Sequence, residues 1–496
     1  MLISTRNSLS PLLSSSGCVT KKVLLSAFMY LAIATPGQTF ANGLPTLGDY
    51  SSSIISLNSE YNLGQGIIRQ IRNTHQSVGD PLVESYLQDL TWDLVAKSQL
   101  QDKRISLAVI GNKSVNAFAA PGGVIGIHVG LVIAAQAEDE LASVISHELA
   151  HLSQRHFASQ LERNRINSPF AIASLITGVL IAAASPEAGT AGLSSSMASS
   201  MSASLAFSRK NEQEADRIGM LNLSKAGYDP LAMPRMFGRL LEIQRLQGSL
   251  PPEFLLTHPS SSSRVADSKN RALQLKVAKK RVLGLDFAII KARLKVKYQL
   301  TPSQSLSHYR ASNQNSKSAI SLYSLALAQA RASHFKESIQ SLKKLPAQWR
   351  KQMLIKLSLA EVYQQGQQPD KALKILNKLN LIYPQHAAVQ MLMAQTLVSA
   401  QRPEMAIKVL RQITEYAPDN IDAWYLLAEA YGLAGNRNAL HVARIEYFLL
   451  RGQVTTARTQ LSFARRERGL KERDLYILDD LEQQAIVVED YLNSKF

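Results

Sequence analysis

Ala360, Ala372 and Pro384 return as Ala394, Ala406 and Pro418, each 34 residues further along the chain. Tyr363 and Tyr431 stand at equivalent places two periods apart. Ala326 with Ser338 fits the same register one period earlier, and Ala457 marks a degenerate unit after Ala428. A repeat of this length leaves the fold little freedom. One unit can form a pair of helices, but it cannot bury its apolar side alone, so neighbouring units must stack. The small residues let two antiparallel helices approach closely, and the proline stops the second helix before the next pair begins. This texture is expected from about residue 311 to 496. A chain of 496 residues exceeds what one ordinary core uses, so a separate domain is expected ahead of it. With 46% hydrophobic and 19% charged residues, both parts have the composition of folded protein.

The helical pairs resemble tetratricopeptide repeats. That resemblance implies a solenoid whose concave face holds peptides or proteins, which makes this half a recognition module.

At the other end, Lys21 and Lys22 precede the apolar run "VLLSAFMYLAIA", and "TFA" at Thr39 to Ala41 offers small residues for cleavage. Residues 1–41 read as a secretory signal peptide, because the run stops at Pro36, short of the roughly 20 residues a membrane span requires. Export would place the protein outside the cytoplasm. Cys18 is the single cysteine and would leave with the signal, so any metal must be held by His, Asp or Glu. The signal also carries Arg6, Lys21 and Lys22 and no acid, which leaves +14 of the formal +17 on the mature chain. So basic an exported protein is compatible with peripheral association at anionic membranes, and nucleic acid is not expected as a partner.

Between these ends, residues 43–285 mix strand and helix signals, and 286–310 read as a linker to the repeat domain at 311–496. "ISLAVIG" (Ile105 to Gly111) and "GGVIGIHVG" (Gly122 to Gly130) read as strands turned by Pro121 and Gly122. The stretch around Val124 to Val129 is expected to be an exposed edge available to a substrate backbone. A helix should follow, opened by Glu138, Asp139 and Glu140, which favour the positive end of its dipole. The fold class is therefore α+β: a mainly helical domain with a small sheet, then an all-α solenoid. The greasy segment from 170 to 206 is too short to span a bilayer and reads as a buried helix or an apolar flap.

The predicted helix carries "HELAH", residues 147–151. Positions i and i+4 share a helix face, so His147 and His151 can aim two nitrogens at one ion, with Glu148 beside them to take a proton from water. This is the HExxH pattern of zinc metalloproteases. A third ligand is needed. "FSRKNEQEADRIG" (Phe207 to Gly219) offers Glu212 and Asp216 on one helical face, with Glu214 pointing elsewhere. Glu212 is the expected ligand, and Asp216 could accept a hydrogen bond from a ligating imidazole or assist proton transfer. His156, nine residues after His147, is expected to point away from the site. His128 falls in a strand, and His75, His308, His334, His386 and His441 lack partners at ligand spacing.

HExxH followed by "FSRxxExxAD" resembles the M48 metallopeptidases, which are gluzincins. The resemblance implies one Zn2+ per subunit bound by His147, His151 and Glu212, with Glu148 as general base and Asp216 as proton donor. It further implies that His258, in "LLTHP", can occupy the open metal position and keep the enzyme latent. Signal, protease domain and repeats together are similar to exported M48 enzymes of outer-membrane quality control, a resemblance that implies the periplasm as the location. The substrates implied are unfolded or misassembled outer-membrane β-barrel proteins, the partner implied is the barrel-assembly machinery, and a chaperone role accompanies proteolysis. Two other readings stay open: a permanently plugged binding scaffold, and a zinc hydrolase of peptidoglycan crosslinks.

Overall fold

A computed structural model describes residues 56–163 except 76, then 207–247, 252–259, 261–277 and 280–493. The expected signal peptide and the greasy 170–206 segment lie outside the described residues. In the first half the helices are α1 (Leu57–Thr74), α2 (Pro81–Val95), α3 (Val129–Ala134), α4 (Glu138–Ser153) and α5 (His156–Arg163). They continue with α6 (Arg209–Lys225), α7 (Ala232–Gln247), α8 (Glu253–Thr257) and α9 (Ser262–Gln274). Three short strands precede α3: β1 (Ser106–Ile110), β2 (Ala117–Ala120) and β3 (Val124–His128).

The strands make one mixed sheet in the order β1-β3-β2, with β3 parallel to β1 and antiparallel to β2. The turn between β2 and β3 uses Gly122 and Gly123 at φ +73° and +79°, backbone that side chains rarely adopt. The expected exposed edge at Val124 to Val129 is corrected: β3 is the central strand, paired on both sides and fully buried. The strand with one partner beside the candidate site is β2, "AFAA". It carries no polar and apolar alternation because all four of its residues are buried.

Helix α4 is the centre of this domain. Every residue from Glu138 to His151 is buried, and the helix packs against α2, α6, α7 and β2. Its N-cap, Ala137, offers no side chain, so Glu138, Asp139 and Glu140 meet the dipole alone.

Residues 286–310, expected as a linker, are two helices, α10 (Asp286–Tyr298) and most of α11 (Pro302–Ser316). Phe287, Ile289, Ile290 and Leu294 of α10 are buried, which makes this helix part of the core. The repeats follow as pairs: α12 (Ala319–Arg331) with α13 (Phe335–Lys343), a short α14 (Ala347–Arg350), and α15 (Met353–Gln365) with α16 (Pro369–Ile382). Next come α17 (Ala387–Ser399) with α18 (Pro403–Tyr416), α19 (Ile421–Leu433) with α20 (Arg437–Leu450), and α21 (Val454–Ala464) with α22 (Glu472–Leu492). The first helices begin at 319, 353, 387 and 421, so the 34-residue step is structural. Ala326, Ala360, Ala372, Ala394, Ala406 and Ala457 are all fully buried where the helices approach.

The array curves back onto the first domain. Helix α17 lies on α2, and α22 lies on α1, where any side chain at Gly66 would strike the Tyr491 carbonyl. Arg451 donates to the Arg72 carbonyl at 3.1 Å, and Arg69 donates to that of Leu449 at 3.2 Å. Among the described residues no helix is long and apolar enough to cross a membrane.

One buried cation ties the halves together. Arg293 of α10 donates to Asp80, the N-cap of α2, at 2.8 Å and to Glu361 of α15 at 2.8 Å. Removing one partner of such a group leaves charge buried without compensation, which costs about 3–5 kcal/mol. Arg293→Ala should therefore lower unfolding free energy by about that amount in a urea titration. A loss within ~0.5 kcal/mol, as for an ordinary surface site, would show that the ion group does not join the halves.

Candidate metal centre

On α4 the Nε2 atoms of His147 and His151 stand 3.0 Å apart. Glu212 of α6 approaches both, with Oε2 3.6 Å from His147 Nε2 and Oε1 3.4 Å from His151 Nε2. His258, the C-cap of α8, places Nδ1 3.0 Å from Glu212 Oε1 and Nε2 3.5 Å from Glu148 Oε1. One ligand atom from each of His147, His151, Glu212 and His258 lies within 4.8 Å of all the others, and all four residues are buried.

Close contact between two helices produces this meeting. At Gly219 of α6 a methyl group would stand 2.9 Å from the Ser146 carbonyl and 3.0 Å from the His147 Cα, so only glycine lets α6 lie this near α4. Ser208 caps α6 by accepting from the Asn211 amide at 3.2 Å, which starts the helix one turn before Glu212.

Nitrogen and carboxylate donors in this set suit a zinc ion. Neither oxygen of the fully buried Glu148 has a hydrogen bond of normal geometry among the described residues, so an acceptor pair is held beside the donor set. The residues therefore fit a divalent cation.

Electrostatics divide the titratable groups. Burial disfavours the charged form of His147, yet Asp216 and Glu212 outweigh it and lift its pKa to about 9. Burial, with His147 nearby, holds His151 well below its ordinary value. Burial pushes the Glu148 carboxyl up. Against burial, His258 and His147 hold Glu212 well below the usual carboxylate range, and His147 with Arg264 lowers Asp216.

Of the two roles expected for Asp216 the geometry fits the first, a partner for a ligating imidazole, and the expectation for His156 changes. Asp216 stands behind the imidazole pair, with Oδ1 3.0 Å from His147 Nδ1, the ring atom opposite the metal-facing one. Arg264 of α9 binds both its oxygens, at 2.8 and 2.7 Å, and a carboxylate so clamped orients His147 but is a poor proton donor. His156 does not point away: its Nδ1 is 2.9 Å from His151 Nδ1. A helical wheel fails there because α4 ends at Ser153 and Arg155 turns the chain at φ +50°.

Sequence reasoning missed Arg264, which also reaches Glu212 Oε2 at 2.8 Å and the Pro259 carbonyl at 2.8 Å. It also missed Glu253, at the start of α8, which accepts from Ser114 at 2.8 Å and Asn116 at 3.4 Å and lies 3.8 Å from His128 Nδ1. Glu253 thus fastens the short helix that presents His258.

A histidine pair spaced i, i+4 with a glutamate from a second helix and a glutamate beside the first histidine is the site of a metallopeptidase-type protein. Residues 81–272 match the model of peptidase family M48, and residues 329–396 match a tetratricopeptide repeat model. The chain therefore carries an M48 peptidase domain, a family that implies a divalent metal, followed by tetratricopeptide repeats. It is 39% identical over 258 residues to a putative beta-barrel assembly-enhancing protease of Vibrio cholerae, covering 51% of this chain and 52% of the relative. It is 36% identical over 273 residues to the beta-barrel assembly-enhancing protease of Escherichia coli K12, covering 53% and 56%. The mitochondrial metalloendopeptidase OMA1 of Schizosaccharomyces pombe shares 31% over 217 residues, covering 42% and 60%. The matched region spans about half the length of the first two relatives.

Gly219→Ala should force α6 away from α4, lowering stability by about 1–3 kcal/mol and zinc affinity by about tenfold or more. Equilibrium dialysis giving an unchanged affinity would refute the close-approach argument.

Burial raises the Glu253 pKa from 4.5 to about 7, against the hydrogen bonds from Ser114 and Asn116. The folded state then holds this proton more tightly than the unfolded chain. Its contribution is present in full below pH 4.5 and lost as pH rises through 7. Wild type should lose on the order of 2 kcal/mol relative to Glu253→Gln across that window, read by urea unfolding at pH 5 and 7.5. His128, lowered by burial to about 3, is neutral in the folded state across this window, and its titration in the unfolded chain is common to both proteins and cancels in the comparison. Parallel pH profiles for the two proteins would rule the effect out.

Proposed function

We propose that this protein is an exported zinc endopeptidase of the periplasm that removes misassembled outer-membrane β-barrel proteins and assists the assembly of others. The observation that carries the reading is the convergence of His147, His151 and Glu212 with Glu148 at one buried point. Held by those three residues, a zinc ion would supply Lewis acidity, acidifying a water and stabilising the charge that develops on a peptide carbonyl oxygen. Glu148 takes the proton of the attacking water. Its raised pKa, caused by burial, suits it to keep that proton and return it to the departing amine. Asp216, clamped by Arg264, holds the His147 ring in place.

β2 has one sheet partner and is buried in this conformation, so a substrate backbone would pair along it once the site opens. Helix α4 packs beneath this strand, and the Ala119 backbone faces Glu148. Main-chain pairing gives affinity without strong side-chain selection, which suits an enzyme for unfolded chains. The repeats bring in substrates or the barrel-assembly machinery, an extension supported by the likeness to bacterial beta-barrel assembly-enhancing proteases.

His258 favours latency as part of this reading. It is buried among Glu148, Glu212 and the ring of Phe254, whose centroid lies 4.7 Å away, so it covers the catalytic base in this conformation. Cleavage of an unfolded outer-membrane barrel protein tests both points. Glu148→Gln should reduce the rate at least ~100-fold, and His258→Ala should raise it. Activity unchanged in both variants would favour a binding scaffold, and cleavage of purified cell wall would favour a peptidoglycan hydrolase.

A further inference from the structure

The two paired imidazoles of the centre are backed by different chemistry. His147 Nδ1 faces a carboxylate, Asp216, held by Arg264. His151 Nδ1 faces another imidazole: His156 Nδ1 is 2.9 Å away, and both rings are buried. Beyond it, His156 Nε2 lies 3.5 Å from Glu214 Oε2. The rings of His151 and His156 meet edge to face at 4.9 Å, and Phe207 stacks on His151 at 4.1 Å.

Proton placement follows from valence. His151 presents Nε2 to Glu212 and His147, so a ligating His151 must carry its proton on Nδ1. That N–H meets His156 Nδ1, which must then be an acceptor, and the His156 proton is left on Nε2, facing Glu214. One tautomer on each ring makes the 2.9 Å contact a hydrogen bond and points the last N–H at the longer Glu214 contact, and any other sets two N–H groups or two lone pairs against each other.

On the zinc reading above, we infer that His156 is a positioning residue, fixing the tautomer and orientation of His151 as a metal ligand, with Glu214 fixing His156 in turn. The chain builds this deliberately in the sequence: the left-handed turn at Arg155, anchored to Glu60 of α1 at 3.1 Å, swings α5 back so that its first residue faces the ligand. Outer partners of ligating histidines typically contribute 10–100-fold in metal affinity.

The test is zinc competition against a chromogenic chelator on the full chain, comparing wild type with His156→Phe and His156→Gln, with melting temperatures of the metal-free proteins measured alongside. Phenylalanine keeps the ring and removes the acceptor, so His156→Phe should bind zinc about 10–100-fold more weakly. The Gln side-chain oxygen accepts the same N–H, so His156→Gln should stay within a few-fold of wild type. The Co2+-substituted proteins add a second readout: the visible spectrum should shift in His156→Phe and be retained in His156→Gln. Two variants that bind zinc like wild type overturn the inference, as do two variants weakened equally, since that outcome reports packing alone. Wild type that takes up no zinc sinks the metallopeptidase reading as well, so the two failures are told apart by the wild-type titration.

Discussion

Helices α4 and α6 touch backbone to backbone at Gly219, and the geometry of the centre depends on that contact. Two imidazoles on one helix can be aimed by spacing alone, but a third ligand must come from elsewhere in the chain. Its carboxylate is short, so the helix carrying it must lie close. A glycine in a helix interior weakens that helix by about 1 kcal/mol relative to alanine, and the close approach it permits is the compensation.

Closeness then creates an electrostatic problem. Glu148, Glu212 and Asp216 are gathered in a dry interior, where uncompensated carboxylates are costly. Part of the counter-charge is Arg264, which reaches both Glu212 and Asp216. It arrives on the same stretch of chain as His258, and the two are tied through the Pro259 carbonyl. The segment that balances the acids is also the one that sets His258 Nε2 3.5 Å from Glu148. Glu253 holds the other end of that stretch against Ser114 and Asn116.

The repeat array obeys a simpler rule. Each helix pair is amphipathic and completes its core only against a neighbour, and at its start the neighbour is α10 of the peptidase side. This is why the span expected as a linker is helical: a flexible tether would leave the first repeat's apolar face in water. The last helix, α22, meets α1, so the array both begins and ends on the domain it follows.

Features that depend on one segment were legible in the residues. The 34-residue step, the HExxH helix, the face shared by Glu212 and Asp216, and strands β1 and β3 all follow from local periodicity, which side-chain direction makes visible. Strand β2 was hidden because its four small and aromatic residues are buried on every side, and His156 because a wheel cannot be carried across a broken helix. Arg264, Glu253 and the backing of His151 could not be read in advance, since each acts on a group far away in the chain or beyond a turn. The amino-acid order alone determined which chemistry was present and on which helices it stood. Only the tertiary structure decided which groups face one another across elements, because that depends on how closely two backbones can approach and where a buried charge finds its partner.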